Sequence, residues 1–288
     1  MEILCAAKHD NILGEGPLWD AGRGRMCWVD IRTSTIHWLE LHNERSGSYR
    51  VGHRVSAMAL RKGGGLLLAT DHGFASFDAD TAEVELIEHP EPDRPTNRSN
   101  DGHTDAKGRF WLGTMDDRQQ TRSGALYRLD PDWRCTRVLD GLGIPNTVLC
   151  TSDCRQLYLA DSSEQELYRF DVDSEGTVGE RRIFASTKSG PGTPDGSALD
   201  ADGFLWNAQW GGWRVVRYAP DGSIDRIVKM PVEQPTSCAF GGDDLSTLYV
   251  TSARDGLSDD ALAHQPLAGS LFAFKPGVKG VPLAPFGG

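Results

Sequence analysis

The chain lacks long apolar runs, an excess of basic residues and paired cysteines. None of its 288 residues falls in a run near the roughly 20 apolar residues that span a bilayer. The formal net charge of −11 disfavours partners that need a basic surface, so neither nucleic acid nor an anionic membrane is expected. The six cysteines (Cys5, Cys27, Cys135, Cys150, Cys154 and Cys238) include no Cys-x-x-Cys pair. A zinc ribbon or disulfide framework is therefore not expected, and reduced, mostly buried thiols are. Met1–Lys8 has neither the basic start nor the apolar segment of a signal peptide, which predicts a cytoplasmic protein. Gly-x-Ser-x-Gly and His-Glu-x-x-His are also missing, so serine-hydrolase and zincin chemistry have no local support. No window sustains a 3.6-residue apolar period, and long helices are not expected.

What the chain does have is turn chemistry between short apolar runs. From Thr193 to Gly222 it reads strand, Asp-Gly turn, strand, Gly-Gly turn, strand, with Asp221-Gly222 closing the unit. Such dipeptides supply the positive φ that tight hairpins require, so this is a β-meander. Its middle strand recurs, ending at Asp30, Asp71, Thr114, Asp161, Gln209 and Ser252, with spacings of 41, 43, 47, 48 and 43. A strand-rich period in the forties predicts a propeller. The expectation is an all-β, six-bladed β-propeller with four-stranded antiparallel blades, one domain over residues 1–288. Closure requires the first and last blades to avoid open edges, and Glu2–Ala6 is expected to pair with the last blade. The stretches 91–99, 186–194 and 255–266 are expected to be long loops.

Four lead-ins to the blades are polar where a turn alone would suffice. Glu15, Asn100, Asn146 and Asp195 precede the aligned ends of their middle strands by 15, 14, 15 and 14 residues. Near-equal offsets predict that these side chains converge at similar height. Two carboxylates and two amides make an oxygen-rich set suited to a divalent cation. Arg98 adds a donor for a carbonyl or carboxylate, and His103 is a candidate substrate contact. Taken singly, Asn100 and Asp195 read equally well as turn-capping residues; the shared offset argues otherwise. Asp171–Gly176 begins like an EF-hand loop, but the twelfth position is Arg182, so a blade-edge turn is expected.

These segments resemble the gluconolactonase, senescence-marker-protein (regucalcin) and luciferin-regenerating-enzyme family. The resemblance is carried by LGEGPLWD at 13–20, NDGHTDAKGRFWLGTMD at 100–116, LYLADS at 157–162 and PDGSALDADGFLWNAQWGG at 194–212. TSCAFGGDDLSTLYVTSARDG at 236–256 and QPLAGSLFAF at 265–274 extend it to nearly the whole chain. It implies a six-bladed propeller that hydrolyses a sugar-acid lactone, such as a glucono-, galactono-, xylono- or arabinono-lactone, to the aldonic acid. It further implies one divalent ion (calcium, zinc, manganese, magnesium or iron(II)) on Glu15, Asn146 and Asp195, with Asp195 as base and Arg98 and Asn100 on the substrate. The chain departs from the family at Pro145-Asn146-Thr147, where Asn-Gly is common, and at Thr151-Ser152-Asp153-Cys154, in place of Ser-Pro-Asp-Gly. The acidic lid residue of animal members falls on Arg118 by direct counting. A metal-dependent esterase or phosphotriesterase, and a non-catalytic metal-binding platform, are the alternative readings.

Overall fold

The computed structural model describes residues 1–288. Its strands form six four-stranded antiparallel sheets, the blades of a six-bladed β-propeller. Blade 1 comprises Gly14–Asp20, Arg25–Asp30, Thr35–Glu40 and Ser46–Arg50. Blade 2 comprises Val55–Leu60, Leu66–Thr70, Gly73–Phe77 and Val84–Glu88. Blade 3 comprises Asn97–Thr104, Phe110–Asp116, Gly124–Leu129 and Cys135–Leu142. Blade 4 comprises Pro145–Cys150, Gln156–Asp161, Glu166–Asp171 and Arg182–Ser186. Blade 5 comprises Thr193–Leu199, Leu205–Trp210, Arg214–Tyr218 and Ile224–Lys229. Blade 6 takes Pro235–Gly241, Thr247–Ser252 and Leu271–Phe274, and is completed by the N-terminal strand Leu4–Ala7. The predicted pairing of the N-terminus with the last blade is therefore present.

Burial follows the position of a strand within its blade. In blade 1 the second strand is buried along nearly its whole length, whereas the outermost strand alternates exposed with half-buried residues. A strand covered on both faces must be apolar throughout, and one with a wet face need not be. The exception to an all-strand chain is one six-residue helix, Asp259–His264, inside a stretch expected to be loop. Ser258 caps it, its hydroxyl accepting from the Ala261 N–H at 3.2 Å.

Two compact units divide the chain: Met1–Gly52 with Thr187–Pro282, and His53–Ser186 with Leu283–Gly288. The first holds blades 1, 5 and 6, the second blades 2, 3 and 4. Within the second, the C-terminal tail is pinned to blade 2. The Phe286 N–H donates to the Leu60 carbonyl at 2.7 Å, and the Lys62 N–H donates to the Phe286 carbonyl at 2.8 Å. The Phe286 ring is fully buried, edge-on to Trp133.

A buried aspartate organises the first hairpin in blades 3 and 5. In Asp105-Ala106-Lys107-Gly108-Arg109-Phe110-Trp111, Oδ1 of Asp105 accepts the N–H groups of Lys107 and Arg109 at 2.9 and 3.1 Å. Its Oδ2 accepts the Arg109 Nε–H at 2.6 Å and the Trp111 indole N–H at 2.8 Å. In Asp200-Ala201-Asp202-Gly203-Phe204-Leu205-Trp206, Asp200 accepts from Asp202 and Phe204, each at 3.0 Å, and from the Trp206 indole at 2.9 Å. Here the guanidinium comes from the third strand, Arg217, at 2.8 Å. One carboxylate thus closes the turn and fixes a tryptophan that fills the blade interior, with a cation balancing its charge.

Three details differ from expectation. In the Gly211–Trp213 turn the positive φ values belong to Gly211 (72°) and Trp213 (55°), not to both glycines. All six cysteines are free as expected, but only Cys27, Cys154 and Cys238 are buried; Cys135 and Cys150 are half-buried and Cys5 is exposed. His37, on the third strand of blade 1, is more enclosed than an isolated histidine suggests. It stacks on Trp28 with ring centroids 5.3 Å apart, and His9 lies 4.6 Å from it. Burial, then the neighbouring His9, push the His37 pKa down to about 4. Folding therefore favours the neutral ring: the stability tied to it is complete above pH 6.5 and is lost as pH falls from 6.5 towards 4. His37→Gln is expected to flatten the fall of Tm across that window; an unchanged slope in thermal melts from pH 7 to pH 4 contradicts this assignment.

Candidate active site

The first strand of every blade carries a β-bulge, and the candidate residues stand at it. In blade 1 the register breaks between Glu15 and Leu18, in blade 3 between Ser99 and Gly102. In blade 4 it breaks between Asn146 and Leu149, and in blade 5 between Pro194 and Ser197. Pairing explains the offsets of 15 and 14. Asp30, Thr114, Asp161 and Gln209 pair with Gly14, Ser99, Pro145 and Pro194, and in each case the next residue is the candidate. Glu15, Asn100, Asn146 and Asp195 are thus structurally equivalent, each re-aimed by a bulge, a device that proteins place beside functional sites. Blade 6 puts Thr236 at the same register position, a residue the sequence did not single out. Its hydroxyl donates to the Gly14 carbonyl at 2.5 Å, tying the blade 6 bulge to the start of the blade 1 bulge.

The glycines of Asp101-Gly102 and Asp195-Gly196 are required by close approach. A Cβ on Gly102 would stand 2.8 Å from the Trp111 carbonyl oxygen, and one on Gly196 would collide with the Ser237 side chain. Gly16 and Thr147 occupy the residue after Glu15 and Asn146, with φ of 53° and 52°. Thr147 therefore holds the backbone conformation for which glycine is common in the family, and the departure from Asn-Gly leaves that conformation in place. A β-branched residue is strained there. Thr147→Gly is expected to change stability by less than about 1 kcal/mol, since relief of about 1–3 kcal/mol of strain is offset by the entropic cost of glycine and the packing lost with the buried threonine side chain. Urea denaturation midpoints check the size of the change.

In the second unit the site residues form a continuous hydrogen-bonded chain. Arg98 is buried and donates from Nη1 to the Ser99 carbonyl and to Asn100 Oδ1, both at 2.8 Å. Asn100 Nδ2 donates to the Pro145 carbonyl and to Asn146 Oδ1, both at 2.9 Å. Asn146 Nδ2 donates to Ser162 Oγ at 2.9 Å. The Asn146 amide is thereby oriented, nitrogen tied back to Ser162 and oxygen turned to the Asn100 side.

Asp117 anchors the far end of this chain and was not anticipated. Its Oδ1 accepts the Arg98 Nε–H at 2.8 Å and its Oδ2 the Arg54 Nη1–H at 2.9 Å. Burial raises its pKa, but the bonds from Arg54 and the charges of both arginines outweigh that and hold the carboxyl below its usual range. Counting alone placed the lid position on Arg118; the neighbouring acid is the one that reaches Arg98. The Asp-Asp pair after Thr114-Met115 was the available signal.

Asp101, beside Asn100 in the bulge, behaves in the opposite sense. Burial pushes its pKa up to about 6, although the N–H groups of Val148, Gly102 and Thr147 donate to it and oppose the shift. His103, farther along the strand, donates from Nδ1 to the Thr104 carbonyl at 2.9 Å, and burial lowers its pKa. That bond leaves Nε2 as an acceptor. In the first unit, Asp195 is buried, its backbone carbonyl accepting from Asn207 Nδ2 at 3.0 Å. Glu15 is half-buried, and its Oε2 accepts the Gly16 N–H at 3.1 Å.

Residues 13–254 match the SMP-30/gluconolactonase/LRE-like region. Among curated proteins, the chain is 32% identical to a 6-deoxy-6-sulfogluconolactonase of Pseudomonas putida over 96% of each chain. It is 38% identical to an L-arabinolactonase of Azospirillum brasilense over 96% of this chain and 93% of that one. Among solved structures, a calcium-binding protein, regucalcin, from Agrobacterium tumefaciens superposes with a TM-score of 0.93 at 32% identity, covering 98% of this chain and 96% of the other. With the bulge residues in register and the match spanning the blades, this chain belongs to the SMP-30/gluconolactonase/LRE-like family.

Proposed function

We propose that this protein is a lactonase that hydrolyses a sugar-acid lactone to the aldonic acid, using one divalent cation held by Glu15, Asn146 and Asp195. The observation that carries the reading is the equivalence of those three residues, with Asn100, at the bulges of four blades. The family relatives named as sugar lactonases support the substrate class. The donor set fits a hard cation: two carboxylates and an amide oxygen, with the amide turned by its bond to Ser162. Calcium, magnesium, manganese, iron(II) and zinc all accept such a set, and the relative described as calcium-binding favours none exclusively for this chain. When bound, the cation supplies Lewis-acid polarisation of the lactone carbonyl.

The side chains supply the rest. Asp195 takes a proton from the attacking water as the carbonyl carbon becomes tetrahedral, and returns it to the ring oxygen as the acyl C–O bond breaks to give the aldonic acid. Arg98 and Asn100 hold substrate oxygens, and their mutual bond at 2.8 Å keeps both oriented before substrate arrives. His103 Nε2 accepts from a substrate hydroxyl. The chain works as one domain of 288 residues, in the cytoplasm, on a small molecule rather than on nucleic acid or membrane. No helix is long and apolar enough to cross a membrane.

A pH-stat assay on a panel of aldono-lactones tests this reading directly. Acid release is expected with at least one five- or six-carbon lactone, lost on chelation and restored by a divalent ion. Turnover of simple esters or phosphotriesters alone assigns the centre to those substrates instead, and no turnover with any divalent ion leaves a non-catalytic platform.

A further inference from the structure

Outside the bulge residues, the second unit gathers two histidines and an aspartate from two segments, His53 and Asp71-His72, that lie 18 residues apart in sequence. His53 precedes the first strand of blade 2, and Asp71 and His72 form the turn between its second and third strands. The candidate ligand atoms of His53, Asp71 and His72 all lie within 4.8 Å of one another. The two rings meet edge to face, with centroids 5.2 Å apart.

The backbone beneath this cluster is clasped. The Asp71 N–H donates to the Arg54 carbonyl at 3.0 Å, and the Arg54 N–H returns to Asp71 Oδ1 at 3.2 Å. His53 and His72 each flank one member of that reciprocal pair. The turn is fixed further by Thr70, whose hydroxyl donates to the Gly73 carbonyl at 2.8 Å and accepts the His72 N–H at 3.1 Å. The ligand positions are thus set by two anchored segments rather than by a free loop.

We propose that His53, Asp71 and His72 form a site for a borderline-soft transition-metal ion of the Zn²⁺ type, chemically distinct from the oxygen-only set of Glu15, Asn146 and Asp195. Two imidazoles and one carboxylate suit Zn²⁺, Ni²⁺ or Cu²⁺ and are poor ligands for Ca²⁺ or Mg²⁺. Metal–ligand bonds of about 2.0–2.2 Å require the three donors to draw closer than they stand. His72 is exposed and can swing inward, while His53 and Asp71 are half-buried and hold their places. Asp71 Oδ2 already accepts the Arg54 Nε–H at 3.1 Å. A carboxylate oxygen has a second lone pair, so this arginine is the outer partner that orients a ligating carboxylate. Three protein ligands, with His72 open to solvent, leave coordination positions for water or a small anion.

The test is a calorimetric titration of chelator-stripped full-length protein with Zn²⁺ in excess Ca²⁺, repeated in a Glu15→Ala/Asp195→Ala background, which removes both carboxylates of the oxygen set so that it is not the site measured. One equivalent of Zn²⁺ is expected to bind in both. His53→Ala and His72→Ala are each expected to weaken it by at least thirtyfold, and Asp71→Asn by about tenfold, with near-UV circular dichroism confirming the fold. His53→Gln and His72→Gln serve where an alanine variant does not fold. Absence of Zn²⁺ binding in the Glu15→Ala/Asp195→Ala background, or affinities within threefold of that background in folded histidine variants, overturns the proposal. Lactonase activity plays no part in the readout, so the site stands or falls independently of the hydrolytic reading.

Discussion

Asp195→Asn is expected to lower kcat for lactone hydrolysis by about 10³-fold, equivalent to about 4 kcal/mol of transition-state stabilisation, while the protein stays folded. Asparagine keeps an oxygen for a cation but cannot accept the proton of the attacking water. Metal content therefore separates the two roles of this residue. Retained stoichiometry with lost turnover assigns Asp195 as the base; loss of both assigns it chiefly as a ligand. Turnover near that of the natural protein would falsify the mechanism. Folding is not expected to suffer, because asparagine keeps the shape of the aspartate side chain and the Asn207 amide still donates to the residue 195 carbonyl. Unchanged circular dichroism and thermal midpoint check that separation.

The second large effect falls far from the chemistry. Asp200→Ala is expected to destabilise the protein by about 3–5 kcal/mol, the usual cost of removing one partner of a buried ion pair. The loss strands the Arg217 guanidinium, which Asp200 pairs at 2.7 Å, and the indole N–H of the fully buried Trp206. Arg217 keeps Asp225 at 3.0 Å and Asp202 at 3.3 Å, and these contacts place the loss in the lower half of the range. Asp105→Ala is its counterpart in blade 3, where Arg109 and Trp111 lose the same carboxylate. Denaturant unfolding of the two variants reads both at once, and a loss under about 1 kcal/mol in either removes the aspartate from its organising role. The two experiments also separate function from architecture: one acid is expected to matter for turnover and not for stability, the other the reverse.

Much of the architecture was legible because a strand advertises itself locally. The aligned strings ending at Asp30, Asp71, Thr114, Asp161, Gln209 and Ser252 are second strands of six blades, and the runs after them are third strands. Outer strands such as Ser46–Arg50 were not legible, since an edge strand with exposed faces need carry no apolar pattern to detect. The organising aspartates could have been found from Asp-Ala-x-Gly-x-x-Trp, which occurs at 105–111 and again at 200–206. Asp117 was passed over because counting along a chain assigns a position, whereas contact with Arg98 depends on how the strand end turns.

The sequence by itself determined the number of blades, the second strand of each, and the four polar residues at matching offsets. These follow from local chemistry: positive-φ dipeptides set the turns, alternation sets the strands, and a repeated unit carries its special position with it. Only the tertiary structure decided that those four residues are equivalent members of a bulge, because the offsets of 15 and 14 become one register only when strands pair. It alone decided that Thr147 adopts a glycine-like backbone, that Arg98 is held by Asp117, and that His53 meets His72 across the Arg54–Asp71 clasp. Those contacts join residues 17 or more positions apart. Nothing in a linear pattern specifies which side chains a folded backbone will bring within hydrogen-bonding distance.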